Sequence, residues 1–147
     1  MPEIRRAGPE DAEEIARLNS LFNGASEPAG VYFERLSDPR RVDQPILAFW
    51  EGRAVALANL RLVPSLFTAF PYAELSELFV EEAYRRRGLG RALIQYAERL
   101  AVENGARQML ILTDFYNHPA QQLYRAAGYR HYDIALSKQL VKEDSCE

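Results

Sequence analysis

Val80-Glu81-Glu82-Ala83-Tyr84-Arg85-Arg86-Arg87-Gly88-Leu89-Gly90-Arg91-Ala92-Leu93-Ile94 is the stretch on which the reading of this chain turns. An apolar, strand-like run ends at Val80, a short polar turn follows, and a positive cluster with two close glycines leads into a helical pattern. That is the layout of a strand-loop-helix phosphate cradle. A helix N-terminus leaves backbone N–H groups unpaired and carries the positive end of the macrodipole, so an anion placed there gains hydrogen bonds and field together. Gly88 and Gly90, lacking Cβ, let a phosphate approach the backbone and let the chain turn tightly. Arg85, Arg86, Arg87 and Arg91 add cations that can pair with phosphate oxygens.

Two phosphate loops can be tested against this stretch. The dinucleotide fingerprint G-x-G-x-x-G needs a third glycine where Leu93 stands, and the P-loop needs a Gly-Lys-Ser/Thr that is absent. Neither fits, and Arg-x-x-Gly-x-Gly remains.

Working outward, 147 residues make one ordinary domain with room for a core, expected to span 1–147 with a polar tail over 138–147. With 48% hydrophobic and 27% charged residues the composition is that of a folded, soluble protein. No run approaches the roughly 18 apolar residues of a membrane span. Met1-Pro-Glu-Ile-Arg-Arg lacks the apolar core of a secretory leader, so a cytoplasmic location is the default expectation. A lone cysteine, Cys146, gives no internal disulfide and no cysteine metal site, and is expected as a free thiol on the tail. Two histidines, His118 and His131, lack the spacing of a metal site, so no metal is expected. The net charge of −3 argues against a nucleic-acid partner, because phosphate neutralisation needs a basic face. The arginines then form a local anion site on an acidic body.

Taken in order, Ile4–Ala7 reads as a strand and Gly8-Pro9-Glu10-Asp11 starts a helix with Ile15, Leu18 and Phe22 on its apolar face. Residues 25–45 are broken by prolines around a short helix at Tyr32–Leu36, and form the adaptable, substrate-facing region of a binding domain. Ile46–Glu51 and Ala54–Val63 read as a hairpin turning at Glu51-Gly52. Tyr72–Val80 is the next strand, Leu89–Asn104 an amphipathic helix, and Gln108–Thr113 a buried strand. Asn117 or His118 caps a helix over Ala120–Ala127, and Tyr129–Leu136 reads as a last long strand, placed to pair across subunits in a homodimer.

Asn117-x-x-Ala120-x-x-Leu123-Tyr124-x-x-x-Gly128-Tyr129 is a second motif, and with Arg-x-x-Gly-x-Gly upstream the chain resembles the GNAT (Gcn5-related) N-acetyltransferase superfamily over about Ile4 to Leu136. The resemblance implies an α/β (α+β) fold: a mixed central sheet of about six to seven strands with about four helices, strands 4 and 5 splayed to admit acetyl-CoA. It implies that Leu78, Phe79 and Val80 offer backbone groups to the pantetheine arm. Arg85, Arg86, Arg87, Gly88, Leu89, Gly90 and Arg91 would hold the pyrophosphate, Asn117 would contact the pantetheine, and Tyr124 would be the general acid.

Amine acetylation by a thioester needs the amine deprotonated, donors for the oxyanion, and a proton for the departing thiolate. Tyr124 can supply the last, although packing among Ala120, Leu123 and Ala127 would equally explain an aromatic residue there. Glu74 and Glu77 are the candidate bases. Strict alternation puts Glu77 with Leu75 and Phe79, opposite Glu74, Ser76 and Leu78, unless a bulge intervenes. Apolar neighbours would desolvate Glu77 and raise its pKa, which makes it the preferred base. Glu74 and Asp114 are the candidate contacts to a cationic substrate. Trp50, Phe33 and Tyr32 are read as packing residues. The expected activity is acetyl transfer from acetyl-CoA to a primary amine by direct attack in a ternary complex. The acidic body favours a cationic small molecule, a polyamine or an aminoglycoside-like amine. A non-catalytic acyl-CoA-binding regulatory module and a protein lysine or N-terminal acetyltransferase are the alternatives.

Overall fold

In a computed structural model that describes residues 2–142, the chain forms five strands that join in one mixed sheet. β1 (Glu3–Arg6) is followed by a 3-10 turn at Pro9–Asp11, then α1 (Ala12–Asn23) and α2 (Ala29–Ser37). β2 (Asp43–Trp50) and β3 (Arg53–Val63) form a hairpin on the two-residue turn Glu51-Gly52, both residues at positive φ, as the right-handed twist of a tight hairpin requires. β4 (Tyr72–Val80), a 3-10 turn at Glu82–Tyr84, α3 (Leu89–Glu103), β5 (Met109–Ile111) and α4 (His118–Ala126) complete the order. Strand order is β1-β2-β3-β4-β5, antiparallel throughout except for the parallel β4–β5 pair.

A sheet covered on both faces needs two cores. On one face α3 buries Leu89, Leu93, Ile94, Ala97, Leu100 and Ala101 against Ile46, Ala56, Ala58, Leu60 and Leu75. Leu93 and Ile94 are fully buried, and each contributes about 2 kcal/mol by area removed from water. On the other face α1 and α2 bring Ala12, Ile15, Leu18 and Leu36 onto Leu47, Ala54 and Leu57. The entry to α1 is tied down by Asp11, buried to 6% exposure, whose carboxylate accepts from both Arg5 terminal nitrogens at 2.7 and 2.9 Å and from the Gly8 N–H at 2.9 Å.

The expected sixth strand over Tyr129–Leu136 does not form. Tyr129 still packs against the core, but residues 130–142 adopt no regular structure. Alternating apolar residues specify a strand only where a neighbouring edge accepts the ladder, and no described strand pairs with this segment. The sheet among the described residues therefore has five strands rather than six or seven, with β5 as an edge. Cys146 and the last part of the polar tail lie outside the described residues. No helix among the described residues is long and apolar enough to cross a membrane.

Candidate active site

β4 and β5 hold together for three residue pairs only, Ala73 with Met109, Glu74 with Leu110 and Leu75 with Ile111. Beyond Leu75 and Ile111 the strands part, opening a cleft of about 730 Å3 between Ser76–Val80 on one side and Leu112–Asp114 on the other. On its β3 side the same stretch of β4 remains paired, Leu78 with Ala58, Phe79 with Leu57 and Val80 with Ala56. The cleft side of that stretch is thus an edge without a strand partner among the described residues. An extended ligand could line it as a further strand would.

At the inner end of the cleft lies the arginine-glycine loop. Gly88 caps α3 at φ +79°, and Arg86 also stands at positive φ. The first backbone bond of the helix runs from the Ala92 N–H to the Gly88 carbonyl at 3.0 Å. Among the described residues, no backbone N–H from Arg86 through Arg91 donates to another backbone carbonyl. A run of unpaired N–H groups on a helix N-terminus is a ready anion site. A Cβ on Gly90 would come within 3.1 Å of Leu123 Cδ2, so the glycine keeps the floor of the loop low.

The arginines divide the work. Arg85, Arg86 and Arg91 line the cleft, with the Arg85 Nε donating to the Val80 carbonyl at 2.9 Å. Arg87 does not line it. Its guanidinium stacks 4.9 Å from the Trp50 ring centroid and 5.2 Å from that of Tyr84, so only its backbone N–H belongs to the nest. Delocalised, weakly hydrated guanidinium groups favour such aromatic faces. The loop is anchored by Glu81, whose carboxylate, its side chain 12% exposed, takes Arg17 of α1 at 2.5 Å and Arg53 at 3.3 Å.

On the opposite wall Asn117 accepts the Ala120 N–H at 3.2 Å through Oδ1, capping α4 as its sequence position suggests, and it borders the cleft. Tyr124 is half-buried on the same wall, edge-on to Tyr129 with ring centroids 6.5 Å apart, and burial pushes its phenol pKa up. Its hydroxyl makes no hydrogen bond with another described residue. Phe22 of α1 stacks on Phe79 at 5.3 Å and completes the wall.

Glu77 borders the cleft, with a carboxyl held above its ordinary pKa by burial first and by the Asp43 charge second. Its surroundings differ from those expected by alternation. β4 carries a bulge at Ser76, because Glu77 pairs with Asn59 while Leu75 pairs with Leu60. Leu75 joins the core under α3, whereas Glu77 and Phe79 belong to the α1/α2 face. Glu77 therefore keeps the company of Phe79 and loses that of Leu75.

The two expected substrate contacts are placed differently from one another. Glu74 lines neither the cleft nor the pocket beneath α1 and α2, and it accepts from the Tyr72 hydroxyl at 3.5 Å. Asp114 borders the cleft, and its carboxylate accepts the Tyr116 N–H at 2.7 Å in the turn. No group of three or more His, Cys, Asp or Glu side chains among the described residues is placed to hold a metal ion.

A mixed sheet opening between strands 4 and 5, beside an anion nest on the following helix, is the architecture of an acetyltransferase. Comparison with known proteins agrees, and the chain belongs to the acetyltransferase (GNAT) family, whose model matches residues 10–129. It is 29% identical over 135 residues to the D-amino-acid N-acetyltransferase HPA3 of Saccharomyces cerevisiae, covering 86% of this chain and 84% of that protein. Among solved structures it resembles a putative acetyltransferase from Agrobacterium tumefaciens str. C58, with a TM-score of 0.81 and 26% identity over 93% of this chain and 99% of the other. It also shares its fold with the aminoglycoside N-acetyltransferase AAC(6')-Iy in complex with CoA, at a TM-score of 0.80 and 20% identity, covering 95% and 94% of the two chains. The protein is an N-acetyltransferase.

Proposed function

We propose that this enzyme transfers an acetyl group from acetyl-CoA to the primary amine of a small cationic molecule, by direct attack within a ternary complex. One observation carries the reading: Glu77 and Tyr124 border the same cleft that ends in the nest of free N–H groups. The donor set fits acetyl-CoA, because the nest and the Arg85, Arg86 and Arg91 side chains match a pyrophosphate, and the open edge of Leu78, Phe79 and Val80 matches the amides of a pantetheine arm. Asn117 would contact that arm from the other wall.

The thioester supplies an acyl group activated for transfer to nitrogen. Glu77, desolvated and without a hydrogen-bond or ion-pair partner among the described residues, takes the proton from the attacking amine, directly or through a water. Tyr124 keeps its proton at neutral pH, since burial raises its pKa, and gives it to the departing sulfur. A small-molecule acceptor is supported by the relatives, named for D-amino acids and for aminoglycosides. Asp114, at the cleft mouth, adds negative charge that favours a cation.

A second copy of the chain is proposed to take up the segment after Tyr129. Tyr132, Ile134 and Leu136 alternate and are 69%, 88% and 92% exposed, while β5 ends the sheet as an edge beside exposed Leu112. An apolar alternating segment and an open edge in one chain satisfy each other across a two-fold axis.

The acetylation reading is tested by free-thiol release from acetyl-CoA across polyamines, aminoglycosides, amino acids and peptides. Turnover with small amines is expected; tight CoA binding with no turnover on any amine would overturn it.

A further inference from the structure

A second cavity, of about 380 Å3, lies on the far side of the sheet from α3, between α1, α2 and strands β2 to β4. Ligand pockets span roughly 300–1,000 Å3, so this one suits a small molecule. Only one residue borders both this cavity and the acetyl-CoA cleft among the described residues, and it is Glu77. The bulge at Ser76 is what turns its carboxylate to this face.

The charges in the cavity are unequal in how far they are already used. Asp43 accepts from Asn59 Nδ2 at 2.8 Å and lies 3.2 Å from Arg61 Nε, and Arg41 donates to the Leu36 carbonyl at 2.7 Å. The Glu77 and Arg35 side chains, by contrast, have neither a hydrogen bond nor an ion pair with any described residue, although both residues are held through their backbones. Among the described residues Glu77 is thus the anion of this cavity without a partner, at the end that meets the cleft, and of its two arginines that form no ion pair only Arg35 has a side chain not already bonded to the protein. The floor between them is apolar, built from Ile15, Leu36 and Leu57. Tyr32, on the α2 wall, is fixed by the Asn19 amide, which donates to its hydroxyl at 2.8 Å.

We infer that this cavity is the acceptor site and that the acceptor is zwitterionic: a primary amine carried next to a carboxylate, with an apolar side chain, the amine at Glu77 and the carboxylate at Arg35. The inference rests on the acetyl-transfer reading for its chemistry, and it replaces the net cationic acceptor proposed above with a primary amine that also carries a carboxylate. A polyamine would bring a second ammonium toward Arg35 and gain nothing from it. An amino acid satisfies both charges, because Arg pairs with a carboxylate through two parallel N–H groups. Apolar side-chain burial on Ile15, Leu36 and Leu57 adds to the binding.

The test keeps binding apart from turnover. Both enantiomers of leucine, and the corresponding leucinamides, are titrated by calorimetry into the full-length protein saturated with CoA, with spermidine as the polycation control. At least one leucine enantiomer is expected to bind at least tenfold more tightly than its amide and than spermidine. Arg35→Gln is expected to abolish that preference and to leave CoA affinity unchanged. Equal binding of leucine and leucinamide, or a preference that survives Arg35→Gln, would overturn the inference. Thiol release with the same compounds reads the acetylation chemistry separately, so a failure of one reading is distinguishable from a failure of the other.

Discussion

Glu77 on β4 stands opposite Asn59 on β3, while Leu75 stands opposite Leu60, so the single residue between them, Ser76, has no partner across the ladder. An extra residue in one strand reverses the side to which everything after it points. It sends Leu75 under α3 and Glu77 beneath α1 and α2. Glu77→Gln is therefore expected to lower kcat by about 10²-fold or more, the usual scale of a positioned base. Below the raised pKa of Glu77 the wild-type base is protonated, so kcat/KM should fall as pH drops through that value, and the variant should lose that limb. Stability moves the other way. The half-buried carboxylate destabilises the folded state above its folded pKa, so the variant should gain in thermal melts at neutral pH, and the gain should vanish below the ordinary value of 4.5. A pH–rate profile lacking that limb in wild type, or persisting in the variant, would count against Glu77.

The Tyr124 hydroxyl makes no hydrogen bond with a described residue, and the Tyr129 ring meets its ring only edge-on. Tyr124→Phe keeps the ring and removes the proton. A fall in kcat of about 10²-fold with the KM for acetyl-CoA unchanged is the expected result. Steady-state kinetics with both substrates varied would show it, and an unchanged kcat would return Tyr124 to a packing role.

Gly88 and Gly90 should respond differently to the same methyl group. Gly88 stands at φ +79° with open space where a Cβ would go, so Gly88→Ala costs about 1–2 kcal/mol of backbone strain and is read by chemical denaturation. Gly90 has no such strain, but its Cβ would meet Leu123 and rise into the floor of the nest. Gly90→Ala is expected to leave stability nearly unchanged and to weaken CoA binding, measured by titration.

The segment after Tyr129 predicts an assembly. Light scattering should give the mass of two chains, and ending the chain at Tyr129 should give one. A monomer at full length would exclude the exchange.

How far the sequence can be read depends on the range of the interaction. The Tyr72–Val80 strand, the loop and the helix from Leu89 are legible because each is local: period two, then glycines, then period 3.6. Asn117 is legible for the same reason, as a cap three residues before the N–H it binds. The bulge at Ser76 leaves no periodic trace, since one inserted residue looks like ordinary alternation seen from either side. Arg87 cannot be told from Arg86 by composition, and the Trp50 ring, distant in sequence, joins Tyr84 in deciding its direction. The acceptor cavity draws on Asn19, Arg35, Asp43, Asn59 and Glu77, which the fold alone brings together. The irregular stretch over 25–45 is where sequence pointed toward it, through α2. Tyr129–Leu136 reads as a strand because its pattern is that of a strand, but a pattern does not supply the neighbour that a ladder needs.

The Ser76 bulge also bears on how such an enzyme changes over evolutionary time. One carboxylate serves two cavities whose other walls come from different parts of the chain: α1, α2, β2 and β3 on one side, the arginine loop, the segment after β5 and α4 mainly on the other. Substitutions that reshape the first set can alter which amine is accepted while leaving the donor machinery intact. The inserted serine thereby makes acceptor choice a separately heritable trait.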